Sequence, residues 1–282
     1  MKKIALVIKN DTEDGLAVAR DTVDILTEHG CTLYLPESDM MHIGYKENVF
    51  YRDENLVFND AECVIVFGGD GSIMRTAHKT RLPILGINLG RIGYIAELEP
   101  DELQLLDELV NDRFSIEKRM MLEYSVKKNG EKTAEAQVLN EVVLSKGGYS
   151  VMPEVELVCN GEEVGKYFAD GLICTTPTGS TAYSLSAGGS IIDPGMECFG
   201  VTQICPQSFY AKPLIFGGDS VLEFKKGNRG HGRVVLIGDG EVICEIDIGD
   251  VVMVKKSDVY TKLIKIKKNN FYSVMRSKMT EI

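Results

Sequence analysis

Short, uninterrupted apolar runs alternate with helix-forming stretches through the first hundred residues of this 282-residue chain. Residues 4–8, 63–67 and 84–87 are such runs, and residues 32–35 form a further strand-like stretch. Residues 15–29 have the pattern of a helix that Gly30 stops. Strands that are apolar on both faces and alternate with helices build a parallel sheet covered by helices. The sequence therefore predicts an α/β domain over residues 1–100.

The pattern changes after Pro100. An acidic helix is predicted over residues 101–111, and short strand-like stretches follow at residues 121–127, 138–145, 155–158, 221–224, 234–237 and 251–254, with Gly, Asn and Asp between them. We expect a Rossmann-like N-terminal domain and a β-rich, sandwich-like C-terminal domain over residues 101–255. A last helix is predicted over residues 269–277, and residues 256–282 could return to pack on the first domain.

The chain is acidic, with 31 Lys and Arg against 42 Asp and Glu, a formal net charge of −11. Proteins that wrap nucleic acid or bind anionic membranes carry the opposite charge, so neither partner is expected. Residues 255–282 hold eight basic and two acidic residues. This basic end is either a solvated face or electrostatic support for an anionic ligand or an acidic neighbouring subunit.

The seven cysteines form no C-x-x-C pair, and most lie within apolar runs, so we expect buried, reduced thiols. The apolar segment at the N-terminus is too short for a secretion signal, and no apolar run approaches the roughly 18 residues of a membrane span. These features predict a cytoplasmic protein.

A glycine-rich loop, Phe67-Gly68-Gly69-Asp70-Gly71-Ser72, follows a buried strand and precedes a helix over residues 73–79. Glycines let the backbone approach a ligand closely, and the N–H groups of the next helix favour an anion. The loop therefore predicts a phosphate site. Asp70 could accept a proton from an attacking hydroxyl or hold a magnesium ion. The structural alternative is a tight turn in which Asp70 caps the helix.

A second cluster extends from Asp170 to Gly189 and carries seven hydroxyl side chains between Thr175 and Ser184. Pro177 and Gly179 turn the chain there, and Ser180 or Thr181 can cap a short helix. The hydroxyls suit sugar hydroxyls and phosphates. The alternative is a turn whose hydroxyls bind nearby backbone groups.

Other catalytic patterns are missing from the sequence. Residues 161–166 resemble a Walker loop but are one residue short, and no G-x-G-x-x-G, G-x-S-x-G or H-E-x-x-H occurs. The four histidines are scattered, so we expect neither a zinc site nor a Ser-His-Asp hydrolase, and no side-chain cluster for a metal.

Four segments together resemble the bacterial NAD kinases. They are Gly68-Gly69-Asp70-Gly71-Ser72, Asn88-Leu89-Gly90-Arg91-Ile92-Gly93-Tyr94, Asn140-Glu141-Val142-Val143-Leu144 and the segment from Asp170 to Gly189. Phosphofructokinases and diacylglycerol-type lipid kinases share the first but not the other three. The resemblance implies transfer of the ATP γ-phosphate to the 2′-hydroxyl of the adenosine ribose of NAD, giving NADP. It also implies Mg²⁺ or another divalent cation carried by ATP, a site between two domains, and a homodimer or homotetramer.

The resemblance also assigns roles to residues. Asp70 matches the proton acceptor, and Asn140 and Glu141 match the pair that holds adenine and ribose. The other residues implied to bind NAD or ATP are Gly68, Gly69, Gly71, Ser72, Arg75, Asp170, Thr178, Gly179, Ser180, Thr181, Ala182, Tyr183, Ser184, Ser186 and Glu241. Ser72 stands where Thr is commoner, and Val151 and Phe168 stand where some members carry basic residues.

Two other functions use the same residues. A lipid kinase would share the glycine loop, and it would need a basic or apolar membrane-facing surface. A sensor that binds NAD or NADP without turnover would keep every binding residue and would not need Asp70 ionised near the ribose.

Overall fold

In the computed structural model, which describes residues 1–9, 12–90, 93–148, 151–230, 232–268 and 271–280, the first apolar runs form a parallel sheet. Its strand order is β5-β4-β1-β2-β3. The strands are β1 Lys3–Ile8, β2 Thr32–Pro36, β3 Val49–Arg52, β4 Cys63–Phe67 and β5 Ile84–Ile87. The helices are α1 Glu13–Glu28, α2 Met40–Ile43, α3 Asp70–Lys79 and α4 Leu106–Val110, with 3-10 turns at Glu37–Asp39, Glu54–Leu56 and Pro100–Leu105.

Local chemistry sets the ends of α1. The Thr12 side chain accepts a hydrogen bond from the backbone N–H of Gly15 at 3.2 Å, and Glu13 and Asp14 place negative charge in the first turn. Gly30 follows the helix with φ +71°, a conformation that glycine adopts at little cost.

The second part of the chain is antiparallel. Its strands are β6 Ser115–Lys128, β7 Glu131–Val138, β8 Glu141–Lys146, β9 Glu154–Cys159, β10 Glu162–Phe168, β11 Gly171–Thr175, β12 Cys198–Ile204, β13 Leu214–Gly217, β14 Val221–Lys226, β15 Val234–Gly238, β16 Glu241–Ile246 and β17 Val251–Lys265. A 3-10 turn at Gly179–Thr181 and helix α5, Tyr183–Ser186, follow β11. One sheet has the order β13-β12-β11-β8-β15-β16, and β10-β9-β14 pair with the start of β17 in the other. Apolar side chains from both sheets form one core, so the predicted sandwich-like fold is confirmed.

The chain divides into two compact units, Met1–Lys118 with Thr261–Ile282, and Arg119–Tyr260. The predicted boundary near Pro100 lies inside the first unit, because Leu106 and Leu109 are fully buried in the core of that unit. The last residues of β17 pair in parallel with β5 through Leu263 and Ile84. The final helix is α6, Phe271–Thr280, and Asn269, where it was predicted to begin, lies outside the described residues.

All seven cysteines are free thiols. Four of them are buried, but Cys205 is exposed, contrary to the expectation for this residue type. No helix within the described ranges is long and apolar enough to cross a membrane.

Candidate functional site

The glycine loop places Asp70 as the first residue of α3, two glycines after the end of β4. Gly68 has φ +149°, and a Cβ there would lie 2.5 Å from the Ser72 hydroxyl oxygen, so this position requires glycine. The first turn of α3 presents backbone N–H groups that have no acceptor within the helix, which favours an anion at this end.

The Asp70 carboxylate is held by another loop and does not cap its own helix. Its Oδ2 accepts a hydrogen bond from the backbone N–H of Tyr94 at 2.8 Å, and its Oδ1 accepts one from Ile95 at 3.1 Å. A Cβ on Gly93 would overlap Asp70 Oδ1. Only glycine at position 93 therefore lets the loop come this close to the carboxylate. The cap interpretation of Asp70 is therefore wrong, since Gly69 is the N-cap residue and no side chain caps it. An oriented carboxylate with unused lone pairs can accept a proton or bind a cation.

Cationic side chains lie beside this loop. The Arg75 guanidinium donates to the Ser72 hydroxyl at 3.1 Å and is exposed. Arg75, Lys9 and Lys79 contribute to a cavity of about 200 Å³ within the first unit, whose apolar wall includes Val57 and Phe58. Ligand pockets usually measure about 300–1,000 Å³, so this cavity is smaller than a typical one.

Asn140 lies between β7 and β8 and Glu141 begins β8, on a backbone that is bound from two directions. The Asp239 carboxylate accepts the N–H groups of residues 139–141. Thr176 donates its hydroxyl to the Leu139 carbonyl at 2.6 Å and its backbone N–H to the Asn140 carbonyl at 2.8 Å. A Cβ on Gly179 would overlap the same Asn140 carbonyl. The pair is thus fixed in place by neighbouring turns.

Glu141 carries a buried carboxyl group that is only 7% exposed. Its Oε2 atom has no hydrogen-bond partner among the described residues. Burial, and then the charge of Asp239, raise the pKa of Glu141 to about 8. A buried acid without a full set of partners is typical of a binding site, where a ligand hydroxyl can complete the hydrogen bonding.

The hydroxyls of the second cluster are mostly engaged within the protein. Ser180 donates to the Pro177 carbonyl at 2.7 Å, Ser184 is 3.0 Å from the Thr202 hydroxyl, and the buried Arg119 donates to Thr178 at 3.3 Å. Thr175, Thr176 and Thr181 also bind backbone carbonyls. Four of the seven hydroxyls therefore fit the turn interpretation, while those of Thr178 and Ser184 bind side chains. Neither Ser180 nor Thr181 caps α5, because Ala182 precedes this helix and no side chain caps it.

The structure does not bring all predicted residues together. Gly179 adjoins Asn140, its neighbours Thr178 and Ser180 are buried in the same turn, and Glu241 begins the strand after the Asp239 turn. Asp170 precedes β11, and Thr175 at the other end of this strand pairs with Glu141. At 3.3 Å per residue, the strand separates Asp170 from Glu141 by about 16 Å. Asp170 instead pairs with Lys146 at 2.8 Å. Tyr183 and Ser186 are exposed on α5, and Arg91 and Ile92 lie outside the described residues.

Sequence reasoning missed Asp239 as a supporting residue. Its only signal was the Asp-Gly pair between two strands, which is typical of any hairpin turn. Within the described ranges, no three His, Cys, Asp or Glu side chains lie close enough together to hold a metal ion.

Comparison with known proteins identifies the family. Residues 4–114 match the ATP-NAD kinase N-terminal domain, and residues 139–266 match the ATP-NAD kinase C-terminal domain. The NAD kinase of Caldanaerobacter subterraneus subsp. tengcongensis is 36% identical over 285 aligned residues that cover 100% of both chains. This chain belongs to the NAD kinase family. The NAD kinase of Syntrophotalea carbinolica is also 36% identical, over 99% of this chain and 98% of its own.

Solved structures share the fold of this NAD kinase family member. The yeast NADH kinase complexed with NADH superposes with a TM-score of 0.90 at 24% identity, covering 99% of this chain and 88% of its own. The NAD kinase from Archaeoglobus fulgidus in complex with ATP gives a TM-score of 0.73 at 22% identity and covers 100% of both chains. The predicted fold class is confirmed by these matches.

Proposed function

We propose that this chain transfers the γ-phosphate of ATP to the 2′-hydroxyl of the adenosine ribose of NAD, giving NADP and ADP. The observation that carries the proposal is the Asp70 carboxylate, oriented by two backbone N–H groups within a glycine loop, in a member of the NAD kinase family. The full-length match to NAD kinases favours this reaction over a lipid kinase.

Asp70 acts as the general base in this proposal. It accepts the proton of the attacking 2′-hydroxyl as the oxygen–phosphorus bond forms and the bond to ADP breaks. The helix N-terminus and the Arg75 guanidinium supply positive potential for the transferred phosphate. A divalent cation enters as part of the MgATP substrate.

Asn140 and Glu141 bind the adenosine part of NAD. An Asn amide matches the donor and acceptor edge of adenine, and the buried Glu141 carboxyl can bind a ribose hydroxyl. Gly179 lies against the Asn140 backbone and so shapes this place. Thr178, Ser180, Asp170, Tyr183, Ser186 and Glu241 stay predicted contacts. Seven free cysteines are consistent with our proposal that the enzyme is cytoplasmic, and we further propose a homodimer or homotetramer.

The test is NADP formation by the purified protein with ATP, Mg²⁺ and NAD. We expect NADP to accumulate, and its formation to stop when the divalent cation is chelated. Binding of NAD without NADP formation would instead support the sensor, and strong co-sedimentation with liposomes would support the lipid kinase.

Asp70→Asn tests the general base directly. We expect NADP formation to fall by at least about a hundredfold, because the amide cannot accept the hydroxyl proton. His78→Gln is the control on the same helix, since His78 is exposed and is not among the residues that line the cavity beside the glycine loop. An Asp70→Asn rate within about threefold of the wild-type rate would refute the assigned role.

A further inference from the structure

Asp239 binds three consecutive backbone N–H groups at the Asn140–Glu141 pair. The N–H of Leu139 donates to Oδ2 at 2.6 Å, and those of Asn140 and Glu141 donate to Oδ1 at 2.8 and 3.0 Å. The backbone N–H of Asp239 donates to the Glu141 carbonyl at 3.0 Å. Asp239 is only 7% exposed, and hydrogen bonds to an ionised acceptor shielded from water are strong and directional.

The hairpin turn itself does not require this carboxylate. Asp239 and Gly240 form the two-residue turn between β15 and β16, with φ +45° and +86°. Such turns favour Asn-Gly as readily as Asp-Gly. The chain uses Asn-Gly with nearly the same φ values at residues 129–130 and 160–161. Turn geometry therefore explains the glycine and the positive φ, but leaves the acid at position 239 unexplained.

The carbonyl side of the same backbone is bound as well. Thr176 binds the carbonyls of Leu139 and Asn140, and the Thr175 hydroxyl donates to the Asn140 carbonyl at 3.2 Å. With its N–H groups on Asp239 and its carbonyls on the threonines, the backbone of residues 139–141 has one arrangement. The directions in which the Asn140 and Glu141 side chains leave the backbone follow from it.

We propose that Asp239 is a positioning residue for NAD binding, acting through Asn140 and Glu141. This inference rests on the proposed function, in which that pair binds adenine and ribose. Asp239 contacts no substrate itself. Its carboxylate orders the backbone before NAD arrives, so the pair does not lose conformational freedom on binding.

Asp239→Asn tests the carboxylate separately from the turn. The variant keeps a favoured turn sequence, but its amide has one acceptor oxygen and places an NH₂ group against N–H donors. We expect the Kd for NAD, measured by calorimetry without ATP, to rise about tenfold or more. The KM for NAD should rise in parallel, and the KM for ATP should stay within about twofold. A role in folding alone would lower the active fraction, and hence the apparent kcat, without changing either KM.

Asn129→Asp is the matched control, because it makes the reverse change in an exposed Asn-Gly turn. Its Kd for NAD should stay within about twofold of the wild-type value. If Asp239→Asn does not fold, Thr176→Val loosens the same backbone by removing the hydroxyl bond to Leu139, and it should also raise the Kd for NAD. A folded Asp239→Asn with the wild-type Kd, or a Thr176→Val with the wild-type Kd when Asp239→Asn does not fold, would overturn the inference.

The binding measurement needs no turnover. A wild-type protein that binds NAD but forms no NADP would refute the kinase and leave the Asp239 comparison intact. A wild-type protein that does not bind NAD would refute both.

Discussion

The Asp70 carboxylate has a backbone N–H donor on each oxygen and a glycine against Oδ1. This arrangement fixes the direction in which the remaining lone pairs face. Small displacements of a catalytic group are costly, and a shift of about 1 Å can reduce the rate a hundredfold. If Asp70 is the base that we propose, the loop at residues 93–95 is part of the catalytic arrangement.

Gly93→Ala should displace the Asp70 carboxylate, because the new methyl group would overlap Oδ1. We expect kcat to fall by about a hundredfold in the NADP assay, with the folded protein retained by circular dichroism. Gly90→Ala is the control in the same loop, since a Cβ there meets nothing within 4 Å. A kcat for Gly93→Ala that matches the kcat of Gly90→Ala would contradict the expected displacement.

The raised pKa of Glu141 makes stability depend on pH. The folded pKa of about 8 lies above the ordinary value of 4.5, so the unfolded state ionises first as the pH rises. The contribution of Glu141 to the free energy of unfolding therefore falls between about pH 4.5 and 8 and is level above that range.

Glu141→Gln removes this ionisation. We expect the Tm of the variant, relative to the wild-type protein, to increase steadily from pH 5 to 8 in thermal melts. Glu135→Gln, at an exposed position, should show a constant difference. A constant difference for Glu141→Gln would show that Glu141 ionises normally in the folded protein.

At the level of elements, Glu97 attaches the end of β17 to the first unit. It is 4% exposed, pairs with the Lys265 ammonium, and accepts the backbone N–H groups of Ile266 at 2.8 Å and Lys267 at 2.6 Å. Beyond β17, the Phe271 ring of α6 lies 6.0 Å from the Tyr94 ring, next to the loop that holds Asp70. One buried carboxylate thus holds a chain segment that ends near the proposed base.

Glu97→Gln should destabilise the protein by about 1–3 kcal/mol, because an amide cannot replace a carboxylate that serves three donors. Urea unfolding measures this difference. The exposed pair of Lys132 and Glu135 provides the comparison, and Glu135→Gln should cost less than about 1 kcal/mol. Equal losses for the two variants would mean that Glu97 contributes no more than a surface charge.

Elements with continuous apolar runs were predictable, and elements without them were not. β4 and β5 begin and end at their predicted residues because full burial on both faces leaves an unmistakable pattern. The edge strands β3 and β10 are partly exposed, so little hydrophobic pattern marks them. The predicted acidic helix is a 3-10 turn at Pro100–Leu105 followed by α4, a distinction that periodicity does not resolve.

The candidate site likewise has residues that the sequence could predict and residues that it could not. Asp70 could be identified because glycines, a buried strand and a helix surround it in sequence. Asp239 is about a hundred residues from the backbone that it binds, and only the pairing of β15 with β8 brings them together. In the hydroxyl-rich turn, the bonds of Thr175 and Thr176 to Asn140 and Leu139 likewise join segments that are distant in sequence.

Across the whole molecule, negative charge dominates at −11, although both proposed substrates are anionic. The overall field therefore cannot attract them, and local groups such as the α3 N-terminus must bind their phosphates. The basic C-terminal residues add little to the attraction of these substrates, because four of them form ion pairs within the protein. The pairs are Lys255 with Glu123, Lys256 with Glu197, Lys265 with Glu97 and Lys267 with Glu102.

The thiols should differ sharply in reactivity, because the thiolate is the reactive form. Burial raises the pKa of Cys63 to about 12 and raises the pKa of Cys174 well above its usual range, whereas Cys205 is exposed. We expect a disulfide reagent such as Ellman's to modify one thiol rapidly in the native protein. Cys205→Ser should abolish that phase, and a rapid phase that survives this substitution would identify a different thiol.

The two units differ in when they can be completed during synthesis. Residues 119–260 leave the ribosome as one uninterrupted stretch, whereas the first unit needs residues from both ends of the chain. Glu97 and Leu98 bond the far end of β5, but until the last residues of β17 emerge its Ile84 end is an open edge of a parallel sheet. Open edges invite pairing with other chains. The nascent first unit is thus expected to stay exposed to wrong strand pairing for as long as it takes to translate the whole of the second.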